Sequence, residues 1–179
     1  MKLFHEILGP VELPDRLERI VSLAPNVTDA LFALGVGERV LGRSAFCHRP
    51  AEVLSLPVLA SYTKTRTELL RSLKPDVVLL STGVQRDQAL RLKEEGFPVY
   101  ALPLPLSPYG ILENLSTLGH LLDLEERAAA LAHELSERYG RLKRRFDLRV
   151  YFEMDLGGPI TVGRGSYIAQ AVRHLGLKP

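Results

Sequence analysis

The length, composition and charge of the chain limit it to a few classes of protein. Its 179 residues suffice for one ordinary domain, or for one lobe and part of another, and can bury a core. With 46% hydrophobic and 25% charged residues, the composition is globular rather than disordered, and a net charge of +2 does not indicate a nucleic-acid partner. The scarcity of Asn, Gln and Cys beside many Arg and Glu indicates a thermophilic source.

Cysteine usage and hydropathy exclude further classes. The single cysteine, Cys47, excludes an internal disulfide framework, and no Cys/His array offers a metal site. The N-terminal stretch MKLFHEIL is only briefly apolar and is interrupted by His5 and Glu6, so no signal-peptide core is predicted. No apolar run reaches membrane-spanning length. These features leave the compartment open.

Strand and helix patterns alternate along the first 107 residues. The run RIVSLA predicts a buried strand over 19–24 that ends at Pro25, and a helix over 29–34 follows, with Gly35 at its C-terminus. Such alternation predicts a parallel sheet with helices on its faces. Further strands are predicted at 39–42, 57–61, 77–80 and 98–102, and further helices at 67–73 and 85–95.

Two helices and a partial unit are predicted after residue 107. A helix covers 110–122, and Asp123 caps a longer helix from Leu124 to Phe146, whose apolar positions recur every three or four residues. At about 1.5 Å per residue this longer helix spans roughly 34 Å. A strand at 149–154, a loop GGPITVGRG and a helix at 166–175 complete the chain.

These patterns together predict an α/β fold with three parts. A Rossmann-like N-terminal lobe with a parallel sheet spans 1–107, a helical linker with a long backbone helix spans 108–147, and the start of an incomplete second α/β lobe spans 148–179. One strand and one helix cannot bury a core of their own, so this last unit is predicted to be truncated.

Small polar side chains follow the predicted strands. Ligands of open parallel sheets bind outside the carboxyl ends of the strands, and a rim of small polar groups suits binding better than catalysis. Asn26 is predicted to cap the first helix, and Asp29 is predicted to supply the carboxylate of a capping box. Because this turn lies at the carboxyl end of a strand, Pro25 and Asn26 are predicted to face a ligand-binding cleft at that end of the sheet. The rim residues are Pro25, Asn26, Ser61, Tyr62, Ser81, Thr82 and Pro103.

Catalytic and nucleotide-binding signals are weak. The cluster GVGERVLG lies between a helix end and a strand start, the reverse of the order in dinucleotide-binding motifs. Free amides at 163–166 can receive an anionic or carbonyl group, or can belong to an ordinary capped loop. The adjacent Cys47 and His48 leave open a small α/β enzyme with a thiol nucleophile. His120 is predicted to face its helix neighbours and His133 to face solvent, in structural or surface roles.

Several stretches resemble one family of receptors. They are VELPDRLERIVSLAPNVTDALFALGVGERVLGRS, CHRPAEV, TELLRSLKPDVVLLS, and RVYFEM with PITVGRGSYIAQAVRHLG. In this order they resemble the cobalamin and iron-siderophore substrate-binding proteins of ABC importers, the class in which a rigid helical backbone joins two lobes. The resemblance implies a periplasmic or cell-surface receptor without catalytic or metal-binding residues. With no signal peptide visible, a cytoplasmic location stays open.

The resemblance also implies functional residues. Pro25, Asn26, Tyr62 and the turn around Gly163 are implied to contact the ligand, a cobalamin-like corrinoid or a metal chelate such as a siderophore or haem. Glu68 is implied to dock on arginines of the ABC importer permease. The ligand is cargo, so no resident cofactor is expected.

This chain departs from the family pattern in two informative ways. Arg49 stands where cobalamin binders carry a Tyr that stacks on the ligand, which favours a more anionic ligand. Strands that normally follow are missing, which leaves two alternatives open: a receptor fragment that does not transport, or a homodimer that covers the unfinished lobe.

Overall fold

The computed structural model describes residues 1–61, 64–142, 148–155 and 159–179. An antiparallel hairpin of β1 (Lys2–His5) and β2 (Gly9–Glu12) opens the chain. The sequence pattern does not predict this hairpin, because both strands are short and Pro10 lies within the second. The elements that follow are β3 (Ile20–Ser22), α1 (Pro25–Ala33), β4 (Val40–Ser44), β5 (Val58–Ala60), α2 (Thr67–Ser72), β6 (Val77–Ser81), α3 (Arg86–Glu94), β7 (Val99–Leu102), α4 (Pro108–Leu122), α5 (Glu125–Gly140), β8 (Glu153–Asp155), β9 (Pro159–Thr161) and α6 (Tyr167–His174).

The core of the molecule is a parallel sheet, as the alternation predicts. Its strand order is β5-β4-β3-β6-β7, and every neighbouring pair runs parallel. All residues of β6 are buried, which explains the uninterrupted apolar run VVLL. The chain continues from β3 to one side and later returns to β6 on the other, so the topological switch point lies between β3 and β6. The α/β prediction is confirmed.

Helix α1 begins earlier than predicted and without a side-chain cap. Ala24 is its N-cap residue, and Pro25 occupies the first turn, where its fixed φ and missing N–H fit a helix start. The predicted capping roles of Asn26 and Asp29 are therefore wrong, because both lie inside the helix. The predicted end is confirmed, since Gly35 follows Leu34 with a φ of +70°.

Helix α5 is shorter than predicted. Asp123 adopts the left-handed φ of +58° and ends α4, so its predicted role as the N-cap of the next helix is wrong. Helix α5 ends at Gly140, with Arg141 as C-cap, and its 16 residues span about 24 Å rather than 34 Å. Phe146 lies outside the described residues. Arg138 lies in the last turn of α5, where a cation complements the helix dipole.

The Asp of the LKPD motif joins two distant segments. Asp76 Oδ2 accepts from the backbone N–H groups of Glu18 and Arg19, both at 2.9 Å, just before β3. Arg19 in turn donates through Nη2 to the Leu73 carbonyl at 2.6 Å, at the end of α2. This reciprocal contact aligns the start of β3 with the start of β6.

We expect Asp76→Ala to lower the free energy of unfolding by about 1–2 kcal/mol, because two backbone donors lose a charged acceptor at a partly exposed site. Urea denaturation followed by circular dichroism measures the change. Asp87→Ala, which alters an exposed carboxylate paired with Arg86 at 3.8 Å, is the matched control. Equal stability of the two variants would contradict the assignment.

The last elements form a hairpin and a helix. β8 and β9 pair antiparallel, and β9 lies within a stretch for which a loop is predicted, so that part of the prediction is wrong. The strand predicted at 149–154 is limited to Glu153–Asp155, with Arg149 forming only an isolated bridge to Lys178. The predicted last helix is confirmed, and Ser166 Oγ caps it by accepting from Ala169 N at 3.1 Å. None of the described helices is long and apolar enough to cross a membrane.

Candidate functional site

An apolar cavity of 610 Å³ lies beside α1, toward the carboxyl end of the sheet. Its walls come from the exposed side of α1, the loop after β7, the facing sides of α4 and α5, and Tyr167 at the start of α6. Its volume is within the range of ligand pockets in proteins. The lining residues are Pro25, Asn26, Asp29, Ala30, Ala33, Arg49, Leu104, Pro105, Ile111, Asn114, Leu115, Leu118, Leu131, Leu135 and Tyr167.

The structure brings three predicted ligand residues to this one cavity. Pro25 and Asn26 reach it from the first turn of α1, and Arg49 reaches it from the loop after β4. Arg49 Nη2 lies 3.5 Å from Asp29 Oδ2, and the two side chains are 84% and 45% exposed. A pair this exposed is weak and screened by solvent. Arg49 therefore presents an exposed guanidinium, only weakly paired with Asp29, at the mouth of a cavity whose other lining residues are mostly apolar.

The loop that carries Arg49 is anchored by Cys47. The Cys47 side chain is fully buried, and its Sγ lies 3.0 Å from Thr28 Oγ1 on α1 and 3.2 Å from Ser44 Oγ. Arg43 Nη1 donates to the Cys47 carbonyl at 3.1 Å. These contacts tie the loop to α1 and β4, two residues before Arg49. A thiol buried in this way contributes to packing. His48, the next residue, is exposed.

Two buried glutamines, Gln85 at the N-cap of α3 and Gln88 within it, hold the strand ends beneath the rim. Gln85 Nε2 donates to the Leu23 carbonyl at 2.8 Å, and Gln85 Oε1 accepts from Ser81 N at 3.2 Å. Gln88 Nε2 donates to Thr65 Oγ1 at 2.8 Å and to the Ser61 carbonyl at 3.3 Å. The network links the carboxyl ends of β3, β5 and β6. Sequence reasoning missed both residues, although a pair of amides on the buried side of an amphipathic helix is a usable signal.

Asn114 is a second residue that the sequence analysis missed. It is 9% exposed, lies on the inward side of α4 among Ile111, Leu115 and Leu118, and donates through Nδ2 to the Pro103 carbonyl at 2.8 Å. A lone amide within an apolar helical stripe is the sequence signal that marks it.

The other predicted residues lie elsewhere. Gly163 is exposed, has open space around it and is not among the cavity-lining residues. Glu68 is exposed in the first turn of α2, away from the cavity. Tyr62 lies outside the described residues. His120 is exposed and pairs with Glu125 at 3.1 Å, so its predicted inward orientation is wrong, whereas His133 is exposed as predicted.

Helix α6 is docked on the other side of the cavity by polar and aromatic contacts. The His174 ring stacks on Tyr139 of α5 with centroids 4.1 Å apart, and its Nε2 donates to the Tyr139 carbonyl at 3.0 Å. Gln170 Nε2 donates to the Leu106 carbonyl at 2.8 Å. Burial, and then the nearby Tyr109 phenol, raise the pKa of Tyr139 above its usual value, so its phenol is uncharged at neutral pH. These contacts place Tyr167 at the cavity.

A wider hollow of 1090 Å³ lies on the far side of Arg49. It shares Asp29 and Arg49 with the apolar cavity but extends to Gly37 and Val40, at the amino end of β4. Ligands of parallel sheets bind at the carboxyl ends, so the apolar cavity is the better candidate. Within the described residues, no group of three or more His, Cys, Asp or Glu side chains is placed to hold a metal ion.

The parallel sheet, the helix pair and the apolar cavity at the strand ends place the chain in the α/β class, with a candidate ligand site outside the sheet. The sequence profile of the family described as periplasmic binding protein matches residues 20–179, and the chain belongs to this family. It is 25% identical over 159 residues to the vitamin B12-binding protein of Vibrio cholerae, covering 86% of this chain.

Solved structures confirm the fold. The periplasmic vitamin B12-binding protein of Vibrio cholerae superposes with a TM-score of 0.76 at 23% identity, over 90% of this chain and 65% of that one. The periplasmic haem-binding protein from Roseiflexus sp. RS-1, in its apo form, gives a TM-score of 0.77 at 21% identity, over 91% of this chain and 65% of that one. The chain spans 57% of the length of the curated Vibrio cholerae relative.

The comparisons decide between the alternatives of receptor and enzyme. The relatives named above are binding proteins, which confirms the predicted family and the prediction of a non-enzyme. The alternative of an enzyme that uses Cys47 and His48 is wrong, and the buried position of Cys47 gives the physical reason. Binding proteins of this family carry ligands rather than resident cofactors, in agreement with the expectation of none.

Proposed function

We propose that this chain is the substrate-binding component of an ABC importer and that it binds a cobalamin-like corrinoid or a metal chelate, such as a siderophore or haem, in the apolar cavity. The single observation that carries the proposal is the convergence of Pro25, Asn26 and Arg49 on one cavity at the strand ends. Family membership and the names of the relatives, which bind vitamin B12 or haem, support it.

The finer assignments belong to the same proposal. Pro25, Asn26 and Arg49 contact the ligand directly, and Tyr62 and Gly163 are assigned to it by resemblance. Exposed Glu68 docks on the importer permease, and the protein works in the periplasm or at the cell surface. The three-part division at residues 107 and 147 stays a prediction.

The homodimer also stays a prediction. The exposed side chains of Tyr151, Phe152 and Ile160 near the last hairpin support it, since clustered apolar surface favours association. Sedimentation that shows only monomer at high concentration would contradict it.

The proposal is tested by titrating the purified chain with cyanocobalamin, haem and a ferric siderophore. Saturable binding of at least one of them with a stoichiometry near one is expected. Failure of all three to bind would overturn the proposed function. Binding that survives unchanged when Leu118 in the cavity wall is replaced by Arg would show that the ligand sits elsewhere.

Arg49→Ala tests the charge at the mouth. We expect this variant to bind haem, which carries carboxylates, about fivefold more weakly, equivalent to about 1 kcal/mol for an exposed charge pair. Its affinity for neutral cyanocobalamin should be nearly unchanged. Arg16→Ala is the matched control, because Arg16 is 82% exposed, pairs with Glu18 at 2.9 Å and does not line the cavity. Equal haem affinity of the two variants would contradict a role for Arg49.

A further inference from the structure

We infer that Asn114 is the residue by which the cavity selects ligands that present hydrogen-bond donors. This inference rests on the proposed function and goes beyond it by naming the ligand chemistry that the cavity prefers. It starts from the orientation of one side chain, which the surrounding structure fixes.

The carboxamide of Asn114 can point only one way. The Pro103 carbonyl, 2.8 Å from Asn114 Nδ2, accepts hydrogen bonds and cannot donate them. The nitrogen therefore faces Pro103, and the oxygen Oδ1 faces away from it. This bond also attaches the middle of α4 to the loop after β7, so the side chain is held in place before any ligand arrives.

Oδ1 is left without a donor. Across residues 1–61, 64–142, 148–155 and 159–179, no side chain or backbone N–H bonds to this oxygen. Within the same ranges, Ser81 Oγ is the one fully buried side-chain polar atom without a hydrogen-bond partner. Asn114 Oδ1 also has no partner, so it must be at least slightly accessible to solvent. Asn114 as a whole is 9% exposed and lines the cavity. The accessible part of this nearly buried residue therefore includes an unused acceptor.

The surroundings make this acceptor selective. On α4, Ile111, Leu115 and Leu118 line the cavity together with Asn114, and on α5 Leu131 and Leu135 line it as well. In such a wall one polar atom orients the ligand, and a ligand that cannot satisfy it leaves the atom unpaired at a cost. A carboxamide or hydroxyl of the ligand can donate to Oδ1, whereas a carboxylate can only repel it. The cavity interior therefore favours amide-bearing corrinoids, while Arg49 at the mouth is the only cationic side chain among the lining residues.

The test compares two ligands on the same protein preparation. Cyanocobalamin carries carboxamides and haem carries carboxylates. We expect Asn114→Leu to lower the affinity for cyanocobalamin about tenfold and to leave the affinity for haem unchanged or higher. Asn114→Asp keeps an acceptor at the position, but it adds charge and loses the donor to the Pro103 carbonyl. It should therefore lower the affinity for haem more than the affinity for cyanocobalamin. The ratio of the two affinities is the readout, because it does not depend on the fraction of protein that is folded.

Ser107→Ala is the matched control for a structural effect on α4. Ser107 caps the same helix by accepting from Gly110 N at 3.1 Å, and it does not line the cavity. Its removal should destabilise α4 and leave the affinity ratio unchanged. If Asn114→Leu weakens both ligands equally, as loss of structure would, the inference is overturned and the proposed function stands. If the unaltered chain binds neither cyanocobalamin nor haem, the inference is overturned, and the proposed function is overturned with it only when the ferric siderophore also fails to bind. Should Asn114→Leu fail to fold, an unchanged ratio in Asn114→Asp overturns the inference by itself.

Discussion

Replacing Gly119 by Val is expected to lower the free energy of unfolding by about 3 kcal/mol. Gly119 packs against the start of α5, and a Cβ built there would lie 2.4 Å from the Ala128 Cβ and 3.3 Å from the Leu124 carbonyl oxygen. Neither neighbour can rotate away, because one is attached directly to the backbone and the other belongs to it. The helices must therefore separate, and Leu118 and Leu131 in the cavity wall separate with them.

Urea denaturation of the Gly119→Val variant measures this loss. Gly140→Val is the matched control, since Gly140 is an exposed residue at the end of α5 and a Cβ there meets nothing within 4 Å. Adding Ala128→Gly to the Gly119→Val variant removes the nearest contact and should recover part of the stability. A Gly119→Val variant as stable as the Gly140→Val variant would contradict the close approach of α4 and α5.

Replacing His5 by Phe is expected to cost about 3 kcal/mol as well, for a polar rather than a steric reason. His5 is 6% exposed, and its Nδ1 accepts from the N–H groups of Ile7 and Leu8, both at 3.1 Å. The proton must then be on Nε2, which donates to the Ala101 carbonyl at 2.6 Å. Phe keeps the ring against Tyr100 and leaves all three backbone groups unpaired.

Urea denaturation of the unaltered chain and of the His5→Phe variant measures this change in stability. The slope of the unfolding free energy against urea concentration should be the same for the two proteins. His133→Phe supplies the comparison, because His133 is exposed on α5 and its replacement should change stability by no more than about 0.5 kcal/mol. If the His5→Phe variant loses less than about 1 kcal/mol, the hairpin is not held by these hydrogen bonds.

Sequence patterns predict the parallel sheet because each strand and helix carries its own periodicity. The run VVLL within β6, and the glycine that ends α1, depend on neighbours only a few residues away. The location of Pro25 and Asn26 at a strand end follows from the order of elements alone, so this part of the cavity is predictable as well.

Features that depend on distant segments are not predictable in this way. The apolar periodicity from Leu124 to Phe146 continues past Gly140, so the spacing of apolar residues alone does not show that α5 ends there. Asp is a preferred residue type at helix N-caps, so the sequence favours that role for Asp123. Only its left-handed φ in the folded chain shows that it ends α4 instead. The bonds from Gln85 to Leu23 and from Asn114 to Pro103 join segments whose contact exists only in the folded chain.

Because Cys47 is buried, the reactivity of its thiol reports how often the structure around it opens. As the only cysteine of the chain, fully buried between α1 and β4, it can react with a thiol reagent in solution only when these elements part. The rate of labelling, compared with that of the unfolded chain, therefore measures the free energy of local opening around the Arg49 loop. A ligand that closes on this loop should slow the labelling in proportion to its occupancy, which provides a binding assay that needs no optical signal from the ligand.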